Sequence, residues 1–179
     1  MTPEWVGCAE GNFRRGRSAS WQPEAIVIHI SVGSLASADA WFHNPAARVS
    51  AHYLVAKSGA IHQYVNEEDT AYHAGVPVKP IWKLLRPGVN PNSYTIGIEH
   101  EGQPEDVWPE EQYQASAELV ADIAQRWSIP VDEDHIVLHR EIRANKSCPG
   151  FVFNRATLLA KIAALSVPPA DPPSGEIPT

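Results

Sequence analysis

The chain has 179 residues, 44% hydrophobic and 20% charged, the composition of one ordinary globular domain large enough to bury its own core. A formal charge of −7 argues against a nucleic acid or anionic membrane held by long-range attraction, and no apolar run approaches the roughly 20 residues that span a bilayer. The first residues carry no apolar stretch of secretory type, so no signal peptide is expected, and two cysteines, Cys8 and Cys148, make no disulfide framework.

Residues 1–24 mix Gly, Arg and Ser with scattered aromatics and read as an irregular arm lying over the domain. AIVIHIS (25–31) is a β-branched run expected to be a central strand covered on both faces. Its alternation sets Ile26, Ile28 and Ile30 against Val27, His29 and Ser31. Ser34 or Ser37 caps a short helix that Asn44-Pro45 stops. VSAHYLVA (49–56) and AIHQYV (60–65), joined by Lys57-Ser58-Gly59, form a β-hairpin.

Periodicity then fades from Asn66 to Asn92, where prolines recur around Tyr72, His73, Trp82 and Arg86; long loops of this kind are often binding loops. SYTIGIEHEG (93–102) is the next strand. Pro109, with Glu110 and Glu111 behind it, opens the longest helix, whose Tyr113, Ala117, Val120, Ala124 and Trp127 recur at core-facing spacing. A strand at 135–138 runs out at His139, and a last helix from an Asn154 cap presents Leu158, Leu159, Ile162 and Leu165. Residues 167–179, with five prolines, are expected to be a disordered tail. Strands alternating with helices, interrupted by a hairpin, predict a single α/β domain over residues 25–166 with a mixed sheet of five or six strands.

The chemistry concentrates in HREIRANKSCPG (139–150), which places an imidazole, an ammonium and a thiol close together beyond a strand end. Catalytic zinc keeps three protein ligands and one open position, and His29, in an apolar strand, is the candidate third ligand beside His139 and Cys148. Lys146 sits where an ammonium could meet an oxygen turning negative. Glu99 shares a strand face with Thr95, Gly97 and Glu101, and a carboxylate inside such a strand must be paired or used as a base. Each has a plain alternative: a core histidine, a buried small thiol, a solvated lysine, a salt-bridged glutamate. A thiol hydrolase using Cys148 and His139 needs no metal but leaves His29 and Glu99 idle. A glycosidase pair of Glu99 and Glu101, about 6.6 Å apart at strand rise, leaves the histidines idle.

In order along residues 25–152, IVIHIS, VSAHYLVAKSGAIHQYV, AYHAG, NSYTIGIEHEG and HREIRANKSCPG resemble the type 2 zinc-dependent N-acetylmuramoyl-L-alanine amidases, which are related to small phage endolysins and peptidoglycan recognition proteins. The resemblance implies one Zn2+ per chain on His29, His139 and Cys148, with Lys146 stabilising the tetrahedral intermediate and Glu99 handling the proton. It implies cleavage of the amide joining N-acetylmuramic acid to L-alanine in peptidoglycan or muropeptides, by a monomer that needs neither nucleic acid nor membrane. His73, Tyr72 and Trp82 are placed as candidate groove residues. Two features depart from parts of the family. Ala51 stands where some members carry a catalytic tyrosine, and Cys148 stands where recycling enzymes carry an aspartate. With Glu99 present, Ala51 points to the branch that uses a glutamate instead, and Cys148 favours an endolysin-like enzyme made in the cytoplasm and acting on the wall after release; a cytoplasmic muropeptide-recycling amidase is the alternative. Non-catalytic muropeptide-binding relatives lack the cysteine that is present here.

Overall fold

The computed structural model describes residues 2–165, and the proline-rich tail expected at 167–179 lies outside them. Among the described residues the strands and α-helices run in chain order β1 (Glu4–Trp5), β2 (Phe13–Arg14), β3 (Ala25–Ile28), α1 (Leu35–His43), β4 (Tyr53–Val55), β5 (Ile61–Gln63), β6 (Thr70–Ala71), β7 (Thr95–His100), α2 (Glu110–Trp127), β8 (Ile136–Leu138), α3 (His139–Ile142) and α4 (Arg155–Leu165). The main sheet runs β1-β5-β4-β7-β3-β8. β4 and β5 are the antiparallel hairpin, and the other pairings are parallel, so the sheet is mixed as the pattern of elements predicted.

Alternation along β3 and β7 divides the core. Ile26, Ile28, Ile96 and Ile98 pack on one face against Ala117, Val120 and Ile123 of α2 and Leu158 and Ile162 of α4. The other face is covered in two patches. Val27 and Val137 meet Ala74, Trp82 and Tyr94, while Leu54 meets Ala38 and Phe42 of α1. Side chains of one strand therefore serve opposite layers, which is why β3 is apolar at every position. Among the described residues no helix is long and apolar enough to cross a membrane.

Local signals account for the element ends. The Ser34 hydroxyl accepts from Ser37 N–H and caps α1, and Ser128 takes a left-handed φ of 56° to close α2. Asn154 accepts from Thr157 N–H at the start of α4. Two expectations need correction. The first residues are not simply irregular: β1 pairs in parallel with β5 at the sheet edge, and β2 pairs with β6. Pieces of two residues are too short to show a period. Arg17 then stitches this segment down, donating to the carbonyls of Glu67, Asn92, Ser93 and Thr95. His139, expected to enter a loop, instead opens the helical turn α3, with Glu141 accepting from Leu138 N–H.

Candidate metal centre

Three neighbouring parallel strands bring the candidate side chains together through register alone. Ile28 of β3 lies opposite Ile98 of β7 and Leu138 of β8. One residue further along each chain come His29, Glu99 and His139. All three fall on the face opposite Ile28, at the carboxyl edge of the parallel strands, where α/β sheets characteristically bind ligands.

His29 and His139 are almost wholly buried, at 1% and 5% exposure. Their Nδ1 atoms face each other at 3.0 Å, and each ligating atom of His29, His139 and Cys148 lies within 4.8 Å of the other two. His139 Nε2 donates to the Ala74 carbonyl at 3.0 Å, which leaves the lone pair of its Nδ1 pointing at His29. A buried lone pair aimed at a second ring nitrogen calls for a cation or proton between them, since an unsatisfied buried polar group costs about 1–3 kcal/mol. Two imidazoles and a thiol are a donor set suited to zinc. Burial holds both rings neutral, the ligating form: it pushes His139 down to about 4 and His29 well below its usual range, with the nearby His139 and His73 adding to the effect on His29.

The Cys148 thiol is pushed up to about 11, first by burial and then by Glu99. Its Sγ donates to the Ile30 carbonyl at 3.7 Å. A thiol so disposed is a poor nucleophile without a cation beside it, which weighs against the thiol hydrolase. Cys8 and Cys148 are both free, so no bridge consumes the candidate ligand.

Glu99 reaches within 3.9 Å of His29 Nδ1, and its Oε2 is buried without a hydrogen-bond partner. Burial raises its carboxyl to about 8, against the opposing pull of the Lys146 charge. Glu101 is different. Its two oxygens accept from Leu35 N–H and Lys57 N–H, tying α1 to the hairpin, and it does not line the cleft. Glu101 therefore stays out of the cleft despite sharing a strand face with Glu99, and the glycosidase pair loses its second carboxylate.

A cleft of about 590 Å³ opens over these groups, lined by His29, Glu99, His139, Lys146 and Cys148 together with Tyr72, His73, Trp41 and Val49. Tyr72 lies on the wall. His73 touches the cleft only marginally, being 9% exposed, and its Nδ1 sits 3.0 Å from His29 Nε2, behind the candidate ligand. Trp82 is a correction. It stacks on Tyr94 with centroids 5.7 Å apart and donates to the Asp134 carbonyl, so it belongs to the core and not to the groove. The sequence reading missed Trp41, which is 53% exposed on the cleft wall. The signal was available: Leu35, Ala38 and Phe42 form the inward stripe of α1, and a tryptophan off that stripe has no core to enter. His100 was also passed over. Its buried ring bridges the His29 carbonyl and Ser116 Oγ, holding the backbone at the first candidate ligand.

The model of the N-acetylmuramoyl-L-alanine amidase family matches residues 19–151. The chain belongs to this family. It is 39% identical over 125 residues to N-acetylmuramoyl-L-alanine amidase A of Achromobacter lyticus, covering 68% of this chain and 61% of that protein. Among solved structures, an AmpD derivative superposes with a TM-score of 0.75 at 26% identity, covering 89% of this chain and 94% of the other. AmiD from E. coli, in complex with the substrate anhydro-N-acetylmuramic acid-L-Ala-D-gamma-Glu-L-Lys, superposes with a TM-score of 0.63 at 27% identity, covering 83% of this chain and 61% of that one. The chain spans about three fifths of the length of the first curated relatives it matches. Amidase family membership agrees with the ordered motifs from which the resemblance was drawn.

Proposed function

We propose that this protein hydrolyses the amide between N-acetylmuramic acid and L-alanine in peptidoglycan or its soluble fragments, as a zinc enzyme. The observation that carries the reading is the convergence of His29, His139 and Cys148 within 4.8 Å in the same cleft as Glu99 and Lys146. His29 Nδ1, His139 Nδ1 and Cys148 Sγ would hold one zinc ion. When bound, zinc supplies Lewis-acid polarisation of a carbonyl and makes water a nucleophile near neutral pH.

The remaining work falls to the chain itself. Glu99, with a partnerless oxygen and a raised proton affinity, suits a group that takes a proton from water and delivers it to the departing nitrogen. Water adds to the lactyl carbonyl carbon and the C–N bond breaks. The products are a lactyl carboxylate and a free alanine amine. Lys146, exposed on the cleft wall, faces the oxygen that gains charge as the carbon becomes tetrahedral. Trp41, Val49 and Tyr72 offer an apolar wall for a sugar ring or an alanine methyl.

Digestion of purified cell wall and of a soluble anhydro-muropeptide, followed by mass spectrometry, tests the reading. New free N-terminal alanine is expected from the wild type, without new reducing sugar ends. Glu99→Gln should keep its zinc and lose about 10²–10⁴ in turnover. A fully active Glu99→Gln enzyme would refute the role given to Glu99, and new reducing ends would refute the amidase.

A further inference from the structure

The loop between β6 and β7 touches both candidate histidine ligands from behind. His73 Nδ1 lies 3.0 Å from His29 Nε2, and the next residue's carbonyl, Ala74 O, accepts from His139 Nε2 at 3.0 Å. The backbone of this dipeptide is itself pinned. Asn92, buried to 5% exposure, accepts from both His73 N–H and Ala74 N–H through Oδ1, at 3.2 and 2.8 Å. One short segment therefore sits behind both rings.

Hydrogen-bond bookkeeping gives that segment a direction. Thr95 Oγ1 is 2.8 Å from the Pro91 carbonyl and 3.2 Å from His73 Nε2. A carbonyl only accepts and a hydroxyl has one proton, so the closer contact takes the Thr95 proton and His73 Nε2–H donates to Thr95. His73 Nδ1 is then an acceptor, and the proton between it and His29 belongs to His29 Nε2. The lone pair of His29 Nδ1 is left facing His139 Nδ1. A second observation is independent of these distances. Gly97, inside the central strand β7, is the seat of the His73 ring: a Cβ there would lie 2.4 Å from His73 Cγ. Glycine in a buried strand weakens the strand, and here it lets the ring approach the sheet.

We infer that His73, oriented by Thr95 and seated on Gly97, is a positioning residue that fixes the tautomer of His29, while Ala74 O fixes that of His139, so that the metal centre is built before the metal arrives. The inference rests on the zinc reading of the site and goes beyond it, since it concerns residues that stand behind the candidate ligands. Outer partners of this kind are worth about 10–100-fold in metal affinity.

The test has two readouts. Nitrogen-15 NMR of histidine side chains in the metal-free wild type should show His73 and His29 both protonated at Nε2. Chelator competition should show zinc binding weakened by about 10–100-fold in Thr95→Val and restored in Thr95→Ser, which keeps the hydroxyl. A proton on Nδ1 of His73, or wild-type zinc affinity in Thr95→Val, would overturn the inference. A wild type that binds no zinc would instead remove the zinc reading, and the NMR result on the metal-free protein would still decide where the protons sit.

Discussion

Replacing Gly97 with alanine is the sharpest structural perturbation available at this site. The added methyl would fall 2.4 Å from His73 Cγ and 2.6 Å from its Nδ1, where ordinary contact begins near 3.4 Å. The strand cannot yield easily, because Gly97 is paired in register with Val27 and its N–H is held by His52 Nδ1 at 3.0 Å. The ring must therefore retreat by roughly 1 Å, the difference between those contact distances. Its bond to His29 Nε2 is 3.0 Å long and hydrogen bonds fade beyond about 3.2 Å, so the retreat severs it. Overpacking costs about 1–3 kcal/mol and the lost hydrogen bond about 1 kcal/mol, so metal-free Gly97→Ala should lose about 2–4 kcal/mol of stability. Zinc affinity should also fall by about 10–100-fold, which reduces the stabilisation that zinc gives by about 1.4–2.8 kcal/mol. Urea unfolding with and without a fixed free zinc concentration separates the two effects, because strain common to both forms cancels in the difference. A variant that is destabilised but gains as much from zinc as the wild type would refute the reasoning about His73.

Two further outcomes are expected. Lys146→Met should retain its zinc and lose about 10²–10³ in kcat, measured on a soluble muropeptide; activity within a few-fold of wild type would remove Lys146 from the chemistry. Acid should destabilise the metal-free protein through His52, which burial, helped by the Arg17 charge, lowers from 6.5 to about 3. Between those values the unfolded chain binds a proton that the folded chain refuses, so stability is full above about 6.5 and is lost as the pH falls towards 3, by about 2 kcal/mol at about pH 5. Urea titrations at about pH 7.5 and about pH 5 on the wild type and on His52→Asn check this, because the other buried histidines and Glu99 cancel in the difference; the same pH dependence in both would show that His52 is not held neutral.

Much of the site was legible because its parts sit on strands whose neighbours reveal them. A histidine inside AIVIHIS and a glutamate inside TIGIEHE interrupt β-branched runs, and such interruptions need a partner or a use. HREIRANKSCPG concentrates three reactive groups at a strand end, and the ordered motifs tie it to a family. The hairpin, the caps at Ser34 and Asn154 and the stripe of α2 follow from local rules that act within a few residues, so they too were readable. The N-terminal strands were not, since two residues carry no period and are held by pairing with β5 and β6.

What the amino-acid order determined alone was the chemistry on offer: which of the longer strands form, which face each of their side chains takes, and which groups are out of place in them. Register was decided only when the strands were assembled. Ile28 opposite both Ile98 and Leu138 is what sets Glu99, His29 and His139 abreast. The long loop was settled the same way. Nothing in its sequence separates Trp82, which fills the core against Tyr94, from Tyr72, which faces the cleft, or from His73, which stands behind the candidate ligand His29. A loop without a period takes its inside and outside from what it packs against, and here that is a sheet face opened by one glycine.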